Sequence, residues 1–134
     1  MVAVIYASAS ALLIVWLSLN AIKGRQKHRV SLGDGGNAEL QAALGAHSNA
    51  TQYIPIGLIL LFALEYNGAA TGLVHAFGLT LVGGRVLHAH GLLARKFRHR
   101  VLGMQVTLYT LLGLALVNLV YLPYWKPLPS WPSF

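Results

Sequence analysis

The sequence predicts an all-α integral membrane protein whose four helices form a single bundle. The chain of 134 residues is 56% hydrophobic, only 10% of its residues are charged, and its apolar residues fall in four long runs. A soluble domain carries about 25% charged residues, and a chain this short would leave too many apolar side chains in water if it folded alone. Lipid is therefore the expected solvent, and one domain spanning residues 1–134 is expected.

Each apolar run is long enough to cross the hydrocarbon layer, which takes about 20 residues of helix. The four segments cover about 2–22, 40–65, 69–93 and 101–122. The first lacks the basic start of a cleaved signal peptide, so it is predicted to be a membrane helix. A membrane β-barrel would show alternating segments of about ten residues, and the sequence contains none.

The connections between the segments predict the orientation of the protein. Residues 23–29 and 95–100 are rich in Lys and Arg, whereas the second connection, 66–68, has no basic residue. Short loops rich in Lys and Arg stay in the cytoplasm. We therefore expect a multi-pass protein with both termini on the outer face. The tail, 123–134, has four prolines and is not expected to be helical.

Charge and cysteine content exclude several classes of function. The net charge is +7, but the positive charges are confined to short clusters between apolar runs. This arrangement argues against a nucleic-acid partner and indicates contact with membrane lipid. The chain has no cysteine, which excludes disulfides, thiolate metal sites and a protein thiol nucleophile. Chemistry that needs sulfur would take it from a bound molecule.

The six histidines are candidate metal ligands. His47 and His88 lie in apolar segments, but the chain has no HxxxH or HExxH pattern, so no metal site is predicted. Haem binding by these two side chains stays open as an alternative. His28 and His99 lie in the basic connections and are expected to be solvated.

Polar residues inside the apolar segments are the candidates for function, because a polar group in lipid usually faces another helix or a cavity. Asn49, Gln52 and Tyr53 have the i, i+3, i+4 spacing of one helix face, and Arg85 and His88 have i, i+3 spacing. The alternative is that they only hydrogen-bond between packed helices. Close packing of the third segment is expected at its glycines: Gly78, Gly83, Gly84 and Gly91.

Arg85 favours the functional interpretation, because a permanently charged guanidinium within an apolar segment needs an anion. The only acidic residues of the chain are Asp34, Glu39 and Glu65. Glu65 lies at the far end of the second segment. Either Glu39 or Asp34 therefore reaches Arg85, or a bound anion does.

Two sequence motifs resemble those of a known family. The run 39–55, which contains Asn49-x-x-Gln52-Tyr53-x-Pro55, resembles the helix-two signature of the MAPEG family, the membrane-associated proteins in eicosanoid and glutathione metabolism. Gly-Arg-Val-Leu-His at 84–88 resembles the marker on the family's third helix, and the loop 29–36 is similar to that of its bacterial branch. The resemblance covers almost the whole chain.

The resemblance implies an assembly, a ligand and a location. Members of the family are homotrimers of four-helix subunits that bind glutathione between subunits, near the cytoplasmic face. A bacterial member is expected in the inner membrane with periplasmic termini. Glutathione or a similar thiol is the implied cofactor, a lipophilic small molecule the substrate, and glutathione transfer or peroxide reduction the reaction. The implied binding residues are Arg25, Arg29, His47, Asn49, Gln52, Tyr53, Arg85 and His88.

Several positions depart from the family pattern. Gln52 stands where the family has a glutamate, and Gly45 stands where it has an arginine. The arginine that stabilises the thiolate at the start of the fourth helix is replaced within 102–104, so the nearby Arg100 is the implied catalytic residue. Two alternatives to a glutathione-linked enzyme remain: a non-catalytic membrane protein that retains the fold, and a haem-binding electron carrier.

Overall fold

Four α-helices make up the protein in a computed structural model that describes residues 1–122. They are α1 (Ala3–His28), α2 (Ala38–Tyr66), α3 (Thr71–Leu93) and α4 (Phe97–Tyr121), and no strand occurs within the described residues. The prediction of an all-α, four-helix protein is confirmed. The proline-rich tail, 123–134, lies outside the described residues.

The helices extend beyond their apolar segments into the charged connections. The first apolar segment ends near Ile22, but α1 continues to His28 and ends where Arg29 adopts a left-handed backbone with φ 53°. The α2 helix begins after Asn37, whose side-chain oxygen accepts from the backbone N–H of Leu40 at 3.0 Å, a typical N-cap. Charged residues are compatible with helix once it leaves the lipid, so hydropathy marks the membrane segment and not the helix end.

The α2 and α3 helices form the central pair of the bundle. The α1 helix packs on α2 and α3, and α4 packs on α3 and α2, while α1 and α4 make no contact within residues 1–122. One core cluster joins the beginning of α1 to α2, α3 and α4, and the other joins the middle of α1 to α2 and α3. The α2 and α3 helices therefore lie between α1 and α4 in the bundle.

Glycines bring α3 and α4 into backbone contact. A methyl group at Gly91 would lie 2.2 Å from the backbone nitrogen of Arg100, and one at Gly103 would lie 2.3 Å from that of His88. The expected close packing is confirmed for Gly78, Gly84 and Gly91. The expectation of close packing is wrong for Gly83 within residues 1–122, because a methyl group there would meet no atom within 4 Å.

All Lys and Arg residues within 1–122 except Arg85 lie at one end of the bundle, which we call the basic end. It consists of the last turns of α1 and α3 and the first turns of α2 and α4, and Lys27 of α1 meets Glu39 of α2 there at 3.0 Å. At the opposite end, the Glu65 carboxylate accepts from the backbone N–H groups of Val2 at 2.5 Å and Ala3 at 2.8 Å. An acid at a helix N-terminus stabilises its unpaired N–H groups.

The outer helices have apolar exposed surfaces. Only α1 and α4, among the described helices, are long and apolar enough by composition to be candidate membrane spans. Their exposed side chains include Leu12, Val15, Trp16, Leu108, Tyr109, Leu112, Leu116 and Val120. The polar residues within α2 and α3 lower the hydropathy of these two helices, yet Ile59 and Leu79 are also exposed on them. Apolar surface on every helix is what a lipid environment requires.

Candidate functional site

Arg85 lies where α2, α3 and α4 meet, and only 1% of it is exposed. Its Nε donates to Thr107 Oγ1 at 2.8 Å, one terminal nitrogen donates to the side-chain oxygen of Asn49, and the other lies 3.4 Å from the backbone oxygen of Gly103. The guanidinium carbon is 5.1 Å from the centre of the Tyr53 ring, which is within cation–π range. Arg85 thus joins three helices through neutral groups.

Neither Glu39 nor Asp34 reaches Arg85 within residues 1–122, so the first of the two alternatives for its counter-ion is wrong. Glu39 instead contacts Lys27 at 3.0 Å and His28 at 3.2 Å, and these hydrogen bonds hold the pKa of its carboxyl below the usual range. Asp34 accepts from a backbone N–H inside its own loop. Both acids lie at the basic end, before the apolar part of α2. The third acid caps α1 at the opposite end, and the tail contains no acidic side chain.

A groove opens between α2, α3 and α4 beside Arg85. It encloses about 480 Å³, and Asn49, His88, Arg100 and Gln105 supply its polar lining. A second space of about 510 Å³ shares Arg100 with it and continues towards the basic end. We call the two together the α2–α4 groove. The residues that line both parts are Gly45, Leu92, Phe97 and Arg100.

Three of the sequence-predicted residues line this groove, and two more, Tyr53 and Arg85, adjoin it through Asn49. Asn49 and Tyr53 both contact Arg85. His88, which is 4% exposed, and Arg100 line the groove from α3 and α4. Because Asn49 uses its oxygen to accept from Arg85, its NH₂ group remains available as a donor. The arrangement offers a cation, an imidazole and an amide donor to one cavity.

Gln52 does not share the face of Asn49 and Tyr53, which corrects the sequence interpretation. Its side chain is exposed and has no hydrogen bond within residues 1–122. A helix turns about 100° per residue, so an i+4 neighbour lies about 40° to one side and an i+3 neighbour about 60° to the other. Asn49 and Tyr53 can therefore face Arg85 together only if Gln52 turns away.

Three other predicted residues lie outside the groove in the described chain. Arg25 and Arg29 line a shallow crevice at the end of α1, and Arg25 donates to the backbone oxygen of Gly33 at 2.7 Å. His47 is half-buried on α2 and lines neither part of the groove. Within one subunit, these three side chains do not join the others.

Thr107 belongs to the polar centre although it was not predicted, and two histidines are less solvated than expected. Thr107 is fully buried and lies four residues after Gly103. A pair of small residues at i, i+4 on α4 is the sequence signal that could have indicated close helix packing at Thr107. His28 is not simply solvated, because it bonds to Glu39. His99 is half-buried beside His90, with ring centres 5.4 Å apart, since the first turn of α4 packs closely on α3.

The fold and the site define a class of protein: an α-helical membrane protein with a charged, carboxylate-free polar centre between three helices. The sequence model of the MAPEG family matches residues 3–120, and the chain therefore belongs to the MAPEG family. It is 44% identical to the inner membrane protein YecN of Escherichia coli strain K12 over 124 residues, covering 92% of this chain and 95% of the relative. YecN of Escherichia coli O6:H1 strain CFT073 matches with the same identity and coverage.

The family match confirms the resemblance carried by the two sequence motifs. The relatives are named as inner membrane proteins, which agrees with the membrane-capable helices of this chain. No group of three or more His, Asp or Glu side chains in the described part of the chain is close enough to hold a metal ion.

Proposed function

We propose that this membrane protein of the MAPEG family binds glutathione, or a thiol of similar charge, in the α2–α4 groove and transfers it to lipophilic electrophiles. The observation that carries the proposal is the isolation of the Arg85 charge. Its partners within residues 1–122 are neutral, and the three acidic side chains of the chain are engaged elsewhere. An anion beside this centre would supply the missing negative charge.

The groove suits a small anionic peptide. Glutathione carries two carboxylates and one ammonium group, so its net charge is negative. Arg100 is an exposed cation on the wall of the groove, and Arg95 lies in the extension towards the basic end. Asn49 and Gln105 add amide groups that can bind a peptide backbone. Charge-assisted hydrogen bonds of this kind are about twice as strong as neutral ones.

The proposed chemistry takes its sulfur from the ligand, because the chain has no cysteine. A cation beside a thiol lowers the pKa of the thiol and raises the fraction of reactive thiolate. Arg100, which lines both parts of the groove, takes this role in the proposal. The thiolate attacks an electrophilic carbon of a molecule that enters from the bilayer, a carbon–sulfur bond forms, and the leaving group departs.

We propose further that the protein assembles as a homotrimer. The α2 helix exposes Ser48, Thr51 and Gln52, and polar side chains facing lipid are unfavourable, so another copy of the chain is expected to cover them. The family resemblance indicates three copies. Arg25 and Arg29 would then reach the ligand from a neighbouring subunit. Native mass spectrometry in mild detergent should show three copies, and a stable monomer that still binds thiol would contradict the assembly.

Glutathione binding tests the proposal most directly. Titration calorimetry of purified protein should show glutathione binding that Arg100→Gln weakens by about tenfold, the effect of losing one charge-assisted contact. Arg98→Gln is the matched control, because Arg98 carries the same charge on the same turn of α4 but does not line the groove. No binding to wild type, or equal loss in both variants, would refute the proposal.

An activity assay then separates the enzyme from a non-catalytic relative. Purified protein is mixed with glutathione and an aromatic electrophile such as a chlorodinitrobenzene, and formation of the thioether is followed. Transfer that falls in Arg100→Gln supports the enzyme. Binding without transfer would show that the protein retains the fold and the ligand but lacks the reaction. A Soret absorption band in the purified protein would instead identify a haem protein.

A further inference from the structure

A second polar cavity lies on the other side of α2, between α1, α2 and α3 at the basic end. It encloses about 500 Å³, and we call it the α1–α3 crevice. Its polar and aromatic lining consists of Trp16, Asn20, Lys23, Lys27, Glu39, His90 and Arg95. Arg95 also borders the α2–α4 groove, but the remaining members of this set belong to the crevice alone. The proposed thiol site leaves the crevice without a role.

The crevice carries an excess of positive charge. It has three permanent cations and one carboxylate, a net charge of two positive. Glu39 is already paired with Lys27, whereas the side chains of Lys23 and Arg95 have no hydrogen bond or ion pair within residues 1–122. Arg95 also adopts φ 55°, a backbone conformation that favours glycine. An arginine at this position brings a cation to the crevice at some conformational cost.

The crevice changes from charged to apolar along the axis of α1. Trp16 lies seven residues before Lys23, which places it about 10 Å further from the basic end. Trp16 is 50% exposed and lies on the wall of the crevice, and Leu93 adds a second apolar side chain. Beyond Trp16, the exposed surface of α1 includes apolar residues such as Leu12 and Val15. A ligand that fits this surface has an anionic head and an apolar tail.

We propose that the α1–α3 crevice binds the headgroup of an anionic phospholipid, with its phosphate between Lys23 and Arg95 and an acyl chain along Trp16. Basic clusters next to a membrane helix attract anionic lipids, and the net charge of the crevice selects them over zwitterionic lipids. The crevice shares Arg95 with the α2–α4 groove, whereas Lys23 belongs to the crevice alone, so Lys23 variants test lipid binding separately from thiol binding. The basic end is accordingly a lipid-binding surface with a defined pocket.

Trp16 provides a direct probe of the lipid in the crevice. In a Trp125→Phe/Trp131→Phe background, Trp16 is the single tryptophan of the chain. The protein is placed in nanodiscs that contain phosphatidylcholine with a small fraction of phosphatidylglycerol, and either lipid is brominated on its acyl chains. Brominated phosphatidylglycerol should quench Trp16 fluorescence more strongly than an equal fraction of brominated phosphatidylcholine. Added NaCl should reduce the difference by screening the charges.

Charge variants test which residues select the lipid. Lys23→Gln should lower the preference for phosphatidylglycerol about fivefold, the contribution expected from one cation near a membrane surface, and Lys23→Gln/Arg95→Gln should lower it further. Glu39→Gln removes the only carboxylate of the crevice and should raise the preference. The control is Lys96→Gln/Arg98→Gln, which removes two charges from the same end without altering the crevice lining, and it should leave the preference unchanged.

Native mass spectrometry of the wild-type protein gives an independent measurement, since phosphatidylglycerol adducts should persist where phosphatidylcholine adducts are lost. Equal quenching by the two lipids, or an equal loss of preference in the control variant, would overturn the proposal. Displacement of the lipid by millimolar glycerol phosphate would show that the crevice binds a soluble phosphate. If brominated phosphatidylglycerol does not quench Trp16 and Lys23→Gln changes the oligomeric state, the crevice is a contact with a second copy of the chain, and the lipid proposal is wrong.

Discussion

Arg85 is the residue on which the polar centre of this protein depends. Its guanidinium is buried between three helices, and each group that contacts it is neutral. Lysine could not replace it, because a single ammonium group lacks the planar fork that reaches α2 and α4 at once. Arg85 therefore holds the bundle together whether or not an anion is bound, and substitutions of Arg85 itself would confound stability with binding.

Thr107 gives a more selective test of this centre. Thr107→Val keeps the shape of the side chain but removes the acceptor for Arg85 Nε, and an unpaired buried donor costs about 1–3 kcal/mol. We expect a lower thermal unfolding midpoint in detergent. Thr80→Val is the control, since the exposed Thr80 hydroxyl bonds only to carbonyls of its own helix, and its effect should stay within about 0.5 kcal/mol. Equal midpoints for the two variants would argue against a structural role for this bond.

At the scale of the helices, contact between α3 and α4 builds one wall of the α2–α4 groove. Gly91 and Gly103 let the backbones touch, and this places His88 of α3 beside Arg100 of α4 along the groove. The small residues have no chemistry of their own, but they decide which polar side chains become neighbours.

Gly103→Ala should therefore destabilise the bundle. The added methyl group would lie 2.3 Å from the His88 backbone nitrogen and 2.7 Å from the Gly84 oxygen. Backbone atoms cannot move aside as a side chain does, and overpacking of this kind costs roughly 1–3 kcal/mol. Gly83→Ala, on the open side of α3, should instead stabilise by about 0.5–1 kcal/mol through helix propensity. Loss of stability at Gly83 in the assembled protein would reveal a subunit contact there.

The separation of charge between the two ends characterises the whole molecule. Eight of the ten Lys and Arg residues in the sequence lie in the connections 23–29 and 95–100, and the fold brings both connections to the basic end. The opposite end, in the described residues, carries Glu65 at the start of α1. A membrane protein with this asymmetry should insert with its basic end in the cytoplasm.

The orientation can be measured with a fusion at each end of the bundle. A phosphatase reporter joined after Phe134 should be active in the periplasm of a bacterial host, and the same reporter inserted between Gly35 and Gly36 should be inactive. Replacing the cations of 95–100 by glutamine should weaken this preference, because the Lys and Arg bias sets the orientation. Phosphatase activity at the Gly35 insertion in the wild-type chain would reverse the proposed topology.

The sequence by itself determined the number of helices, their order and the end of the bundle that carries the positive charge. Four apolar runs separated by charged or short connections permit little else in lipid, and the two motifs indicated the family. The sequence also identified Asn49, Arg85 and His88 as candidates for the site, because polar residues in apolar segments stand out against their surroundings.

Only the tertiary structure decided which of these residues meet. Spacing along a helix indicates a shared face but not the neighbour it packs against, so it grouped Gln52 with Asn49 and could not find Thr107. The partners of Arg85 come from α2 and α4, and their approach depends on glycines that bring separate segments into contact. Contacts between helices are set by packing in three dimensions, and for this reason the neutral surroundings of Arg85 and the α1–α3 crevice became visible only in the fold.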